Sequence, residues 1–207
     1  KEIQALLSQR FLPFRGKIVE TCIFKHRTLS DYIMDIIHAM LLEEHSRRQC
    51  NAIIDFVENH PAAFNHLLRY MCGDDAVLSQ RAAWPMSDIG IRNPSLVYAH
   101  WQTFQEEWIR PNRHPAIRRN ITRILEHIDI PENAAGAVMH HSFLMLEDPQ
   151  EAIAVKAGCI TLLQKFSITY PDIIPEFREI LQAQQSTPAI RARQKRALKA
   201  LKVKTNQ

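Results

Sequence analysis

The apolar positions of this chain recur with a helical period. Ile117, Ile121, Ile124, Leu125 and Ile128 fall at i, i+4, i+7, i+8 and i+11 behind Pro115, one stripe along one helix face. Val97, Trp101, Phe104 and Trp108 repeat the pattern behind Pro94. Ile173, Ile174, Phe177 and Leu181 do so behind Pro171, and Ile33, Ile36, Ile37, Met40 and Leu41 behind Thr28-Leu29-Ser30-Asp31. No run between turn signals alternates with the period of a β-strand.

The prolines punctuate these stripes. Pro61, Pro94, Pro115, Pro131, Pro149, Pro171 and Pro188 each stand where a stripe begins. Proline suits a first helical turn because the N–H it lacks would have no helical partner there. Asn93, Asp148 and Thr187 directly precede such prolines, with side-chain oxygens suited to accept from first-turn N–H groups. Asp148-Pro149-Gln150-Glu151 predicts a capping box with Glu151 at its third helical position. Pro85 falls inside a stripe and predicts a kink or an end there.

Together these signals predict helix pairs near 31–43/45–59, 61–71/75–89, 94–109/115–128, 131–146/150–168 and 171–184/188–201. The expected fold is all-α, one domain over 1–207 built of about five antiparallel pairs. Residues 1–28, broken by Pro13 and Gly16, are expected to hold one or two further helices in an irregular segment. Residues 187–207 are expected to form a basic cap helix and tail. In the fourth pair, Val155, Cys159, Ile160, Leu162, Leu163 and Phe166 wrap much of the second helix, which places it centrally.

A basic residue recurs near the start of each second helix, at Arg47, Arg81, Arg118, Lys156 and Arg193, with spacings of 34, 37, 38 and 37. The surroundings agree in type: Arg81-Ala82-Ala83 after Asp74-Asp75, Val155-Lys156-Ala157 after Asp148-Pro149, and Pro-Ala-Ile-Arg ending at Arg118 and at Arg191. On these residues the chain resembles the HEAT/armadillo-like repeat family over about 30–201. The third pair departs from the motif by lacking an acidic turn before Arg118. The resemblance implies an α–α superhelix that binds macromolecules through a concave face lined by the second helices. Stacking supports this independently, because one helix pair cannot bury both of its apolar faces.

Composition and charge then narrow the chemistry. Apolar types are 46% and charged types 23%, with only 5 glycines, too few for a nucleotide cradle built from a Gly-rich loop. No apolar run approaches the roughly 18 residues of a membrane helix, and Lys1-Glu2-Ile3-Gln4 does not open as a signal peptide, so the expected compartment is cytoplasmic. Cys22, Cys50, Cys72 and Cys159 form no CxxC pair; the last three sit in apolar helical patterns and read as buried free thiols. The net charge of +4 concentrates at one end. Residues 186–207 carry seven basic residues and no acid, which leaves 19 basic against 22 acidic residues, or −3, for 1–185.

One interior basic run remains: Arg110, Arg113, His114, Arg118, Arg119 and Arg123, beside Trp101 and Trp108. Arginine suits phosphate contact and aromatics suit base stacking. The plainer reading has both tryptophans in the core, the arginines on a solvated face, and the recurring cations as ties between helices, such as Lys156 with Asp148 or Arg81 with Asp74 or Asp75. His38 and His45 lie seven apart and His140-His141 are neighbours, so neither pair chelates a metal alone. No GxSxG elbow and no phosphate-binding GxxxxGK[ST] loop occurs.

The expected function is a non-catalytic protein-binding scaffold with no cofactor, metal or small-molecule substrate and no membrane partner. Its candidate contacts are Arg81, Arg118, Arg119, Arg123, Lys156 and Arg193. The alternative is a nucleic-acid-binding protein resembling the HEAT-like glycosylases of alkylated DNA bases. That reading needs Trp101 or Trp108 and a carboxylate to stabilise a sugar cation, with Glu106, Glu107 and Asp88 the nearby candidates.

Overall fold

The computed structural model describes residues 28–183 and 187–204. The expected N-terminal helices, with Pro13, Gly16 and Cys22, and the last three residues of the basic tail lie outside the described residues. Every regular element among the described residues is helical. The chain divides into two compact units, with the break between Tyr70 and Met71.

In the first unit, α1 (Leu29–Glu43) packs on α2 (Arg47–Asn59); α3 (Ala63–Cys72) follows and runs across the break, with Met71 and Cys72 in the second unit. Thr28 starts α1 with a capping box: Asp31 Oδ2 accepts from Thr28 N at 2.8 Å and Thr28 Oγ1 accepts from Asp31 N at 3.3 Å. Gln49, from α2, donates to Met40 O at 2.7 Å, filling a carbonyl left open near the end of α1. Ile33, Ile37, Met40 and Leu41 bury the face that the sequence stripe marked.

The second unit is a two-layer stack. One layer is the series α4 (Ala76–Arg92), α7 (Pro115–His127), α9 (Ile153–Thr169) and α11 (Pro188–Lys204), each packed on the next. The other layer holds α6 (Trp101–Ile109), α8 (Glu132–Glu147) and α10 (Ile174–Ala183), packed on α7, α9 and α11 in turn. The short α5 (Pro94–Ala99) joins α4 to α6, and a 3-10 turn, Pro171–Ile173, leads into α10. Helix α9 touches α7, α8 and α11, the central place that its all-round apolar surface predicts.

Two glycines set how closely the first layer packs. A Cβ on Gly158 of α9 would stand 2.3 Å from Thr122 Cγ2 of α7. A Cβ on Gly90 of α4 would stand 2.9 Å from Val97 Cγ2 and 3.3 Å from Ile124 Cδ1 of α7. In both places a hydrogen atom is what lets the neighbouring helix approach.

Several local expectations are corrected. Helix α4 runs through Pro85 to Arg92. Pro85, Met86, Ile89 and Gly90 are buried there, and tertiary packing outweighs the one hydrogen bond that the proline removes. Asn93 does not cap a first turn; its Oδ1 accepts from Ser95 Oγ at 2.6 Å. The helix expected over 94–109 is broken at His100, whose φ of −121° and ψ of 24° leave the helical region. Asp148 and Glu151 form no capping box, because α9 begins at Ile153. Asp148 Oδ1 accepts from Gln150 N at 2.8 Å in a local turn, and Glu151 is released for another partner. Thr187 does act as expected, its Oγ1 accepting from Ile190 N at 3.4 Å.

Candidate functional site

Three of the six candidate cations tie neighbouring helices together. Arg123 of α7 meets Asp88 of α4 at 2.6 Å and donates to Ser87 Oγ at 2.7 Å. Asp88 is buried, and Ser87 Oγ donates onward to Asn120 Oδ1 at 3.1 Å, so a polar seam runs between α4 and α7. Arg118 donates to Trp108 O at 2.9 Å and Arg110 O at 3.0 Å, carbonyls left open where α6 ends. The same guanidinium pairs with Glu151 at 2.6 Å, reaching the turn before α9. Arg193 of α11 pairs with Glu126 of α7 and donates to Thr161 Oγ1 and, at 3.0 Å, Ala157 O of α9.

The Glu126 carboxyl group lies over Gly158 of α9, its Cδ 3.4 Å from where a Cβ would stand, an ordinary contact distance. The glycine therefore sets the α7–α9 spacing through Thr122 and not through the carboxylate that Arg193 reaches.

The other three candidates differ. Arg119 is exposed and makes no ion pair among the described residues, while Arg81 and Lys156 are half-buried. Asp148 is turned to its own loop, and Lys156 instead lines a hollow of about 340 Å³ with Glu147, Glu151 and Ile190. The recurring cations also do not form one line. Arg118 and Lys156 are the fourth residues of α7 and α9, whereas Arg81 and Arg193 are the sixth of α4 and α11. Arg47 is the first residue of α2, so near-equal spacing in sequence covers three different places relative to the helix starts.

The rest of the arginine run is also structural. Arg113 is nearly buried; it pairs with buried Glu107 at 2.9 Å and donates to Met71 O at 2.8 Å and Gly73 O at 2.7 Å, closing the end of α3. Arg110 pairs with Glu107 at 3.0 Å, and its hydrogen bond to that carboxylate, helped by the attraction between the charges, raises the guanidinium's already high pKa. His114 caps α7, its Nδ1 accepting from Ala116 N at 3.2 Å.

Trp108 is fully buried and donates from Nε1 to Thr122 Oγ1 at 2.9 Å. That removes it from any base-stacking surface. Trp101 is half-buried and donates to Gln105 Oε1 at 2.9 Å. Among the carboxylates considered for a sugar cation, Asp88 and Glu107 are each buried against arginine. Burial pushes the Cys159 and Cys72 thiols up to about 12, with Glu151 adding to the first and Glu107 to the second, so both remain protonated and non-nucleophilic at neutral pH.

A surface that the sequence reading missed lies between these ties. Glu126 and His127 of α7, Thr161, Gln164, Lys165 and Ile168 of α9, and Arg193 and Arg196 of α11 line a groove of about 450 Å³. Lys165 crosses it to donate from Nζ to Glu126 O at the end of α7. Ile168 is 67% exposed. Thr161, Gln164, Lys165 and Ile168 repeat at i, i+3, i+4 and i+7, the signal of one helix face.

A model of the HEAT repeat domain matches residues 37–201. The chain belongs to the HEAT repeat family. No curated protein and no solved structure matches it. In this HEAT repeat chain the pairs α6/α7, α8/α9 and α10/α11 are successive repeat units, and α4, α7, α9 and α11 are their second-helix layer. HEAT repeats generally serve protein interaction or scaffolding and are typically non-catalytic. No helix among the described residues is long and apolar enough to cross a membrane.

Proposed function

We propose that this HEAT repeat chain is a non-catalytic scaffold that binds a partner protein through the outward face of α7, α9 and α11. The observation that carries the reading is the groove of about 450 Å³ spanning three consecutive second helices, with Ile168 exposed among polar groups. Such a surface presents an apolar contact inside a polar rim, the build of a protein interface. Asp88, Glu107 and Glu151 are spent on arginine partners and the Cys159 thiol stays protonated, which supports the non-catalytic reading. The nucleic-acid reading loses one of its two stacking candidates with the burial of Trp108, and Trp101 is half-buried.

Photo-crosslinking tests the proposal. A benzophenone amino acid replaces Ile168 in one variant and Leu144, 49% exposed on α8, in another. In extract of the source cells, a defined protein adduct forms through position 168 and not through 144. Adducts through 144 alone, or no adduct from either position, would overturn the proposal.

A further inference from the structure

The groove carries more positive charge than its own acid neutralises. Glu126 is the acid among its lining residues, and Arg193 already occupies that carboxylate. The Lys165 ammonium bonds to a backbone carbonyl, which carries no net charge, so its own charge remains uncompensated. Arg196 is exposed, with Nε donating to Ala192 O at 3.3 Å and no carboxylate partner among the described residues. Two uncompensated cations from successive helices, Lys165 and Arg196, thus share the groove with an exposed isoleucine.

We propose that the groove receives an acidic segment of the partner protein, with carboxylates meeting Lys165 and Arg196 and an apolar side chain covering Ile168. The proposal rests on the protein-binding reading above and names the chemistry of the partner. Charge complementarity selects an anionic ligand, and two features favour a peptide over a nucleic acid. Among the described residues no Phe, Tyr or Trp lines the groove to stack on a base, and the exposed Ile168 is aliphatic. A hollow of about 450 Å³ also admits a few side chains and not a duplex.

The test uses fluorescence anisotropy with the full chain and three labelled probes: a short glutamate-rich peptide with a central leucine, the same peptide with lysine for glutamate, and a DNA duplex. The acidic peptide binds, the lysine peptide does not, and the duplex binds more weakly at the same salt. Lys165→Glu with Arg196→Glu weakens the acidic peptide by about tenfold or more, since each exposed pair contributes up to about 1 kcal/mol and reversal turns attraction into repulsion. Lys165→Gln with Arg196→Gln, which leaves the helices' apolar faces untouched, weakens it less and in the same direction. Equal binding of the two peptides, or an acidic peptide indifferent to the reversal, overturns the proposal. A duplex that binds more tightly than the acidic peptide and is lost in the same variant overturns it in favour of nucleic acid. If the acidic peptide fails while position 168 still crosslinks a protein, the acidic-segment proposal falls and the protein-binding reading stands.

Discussion

The side chains between the helices carry more consequence than their number implies. Gly158 is the sharpest case, because a Cβ there meets Thr122 Cγ2 at 2.3 Å. Gly158→Ala is expected to destabilise the chain by about 1–3 kcal/mol through overpacking, read as a lower urea midpoint. Adding Thr122→Ser removes the clashing methyl and keeps the hydroxyl that Trp108 bonds, so the double variant should regain part of the loss. Arg113 is a second case. Arg113→Ala leaves the buried Glu107 carboxylate to Arg110 alone and opens the Met71 and Gly73 carbonyls, at a cost of about 1–3 kcal/mol. Arg113→Lys cannot reproduce the forked contact to Glu107, Met71 O and Gly73 O, and should rescue little of it.

Two histidines make the same scale sensitive to pH. Burial, with His140 adding, lowers the pKa of His141; burial, with Arg69 adding, lowers that of His66. Below the ordinary histidine value of 6.5 the unfolded chain therefore binds protons that the folded chain still refuses. Stability from these groups is complete above that pH and is lost as acidification approaches the lower native values. Urea midpoints should fall between pH 7 and pH 5, and His141→Asn should flatten the slope.

At the scale of elements, the helices themselves were legible because their signals are local. Thr28 with Asp31, Pro115 and Thr187 act at helix starts within a few residues, and the apolar stripes of α1, α7 and α10 are the faces found buried. The misreadings arose where a distant contact outweighed the local signal. Pro85 is carried through α4 by packing, and Glu151 leaves its expected cap to meet Arg118, 33 residues away in sequence. The arginine ties could be named as cations but not assigned partners, since each partner belongs to another helix. If Arg118 holds the end of α6 through Trp108 O and Arg110 O, Arg118→Ala should fray that end. Hydrogen exchange should then accelerate at the last-turn amides of α6, with the amides of α8 unchanged.

At the scale of the whole chain, repeat architecture divides the second-helix layer into two kinds of polar residue. Arg118, Arg123 and Arg193 are spent on neighbouring helices, while Arg119, Lys165 and Arg196 face outward. Periodicity located the layer correctly, because stacked repeats bury one face of every helix and leave the other. It could not separate the two kinds of cation, because Arg118 and Arg119 are adjacent in sequence and identical in type. The groove escaped notice for a related reason: its lining comes from three helices, and only packing brings Glu126, Lys165 and Arg196 together.

That division is tested most directly by urea denaturation of Arg118→Ala and Arg119→Ala side by side. Arg118 loses two carbonyl contacts and the Glu151 pair, so its variant should be less stable by about 1–3 kcal/mol. Arg119 is exposed, so its variant should stay within about 0.5 kcal/mol of the parent. Equal losses in the two variants, or a larger loss for Arg119→Ala, would contradict the account.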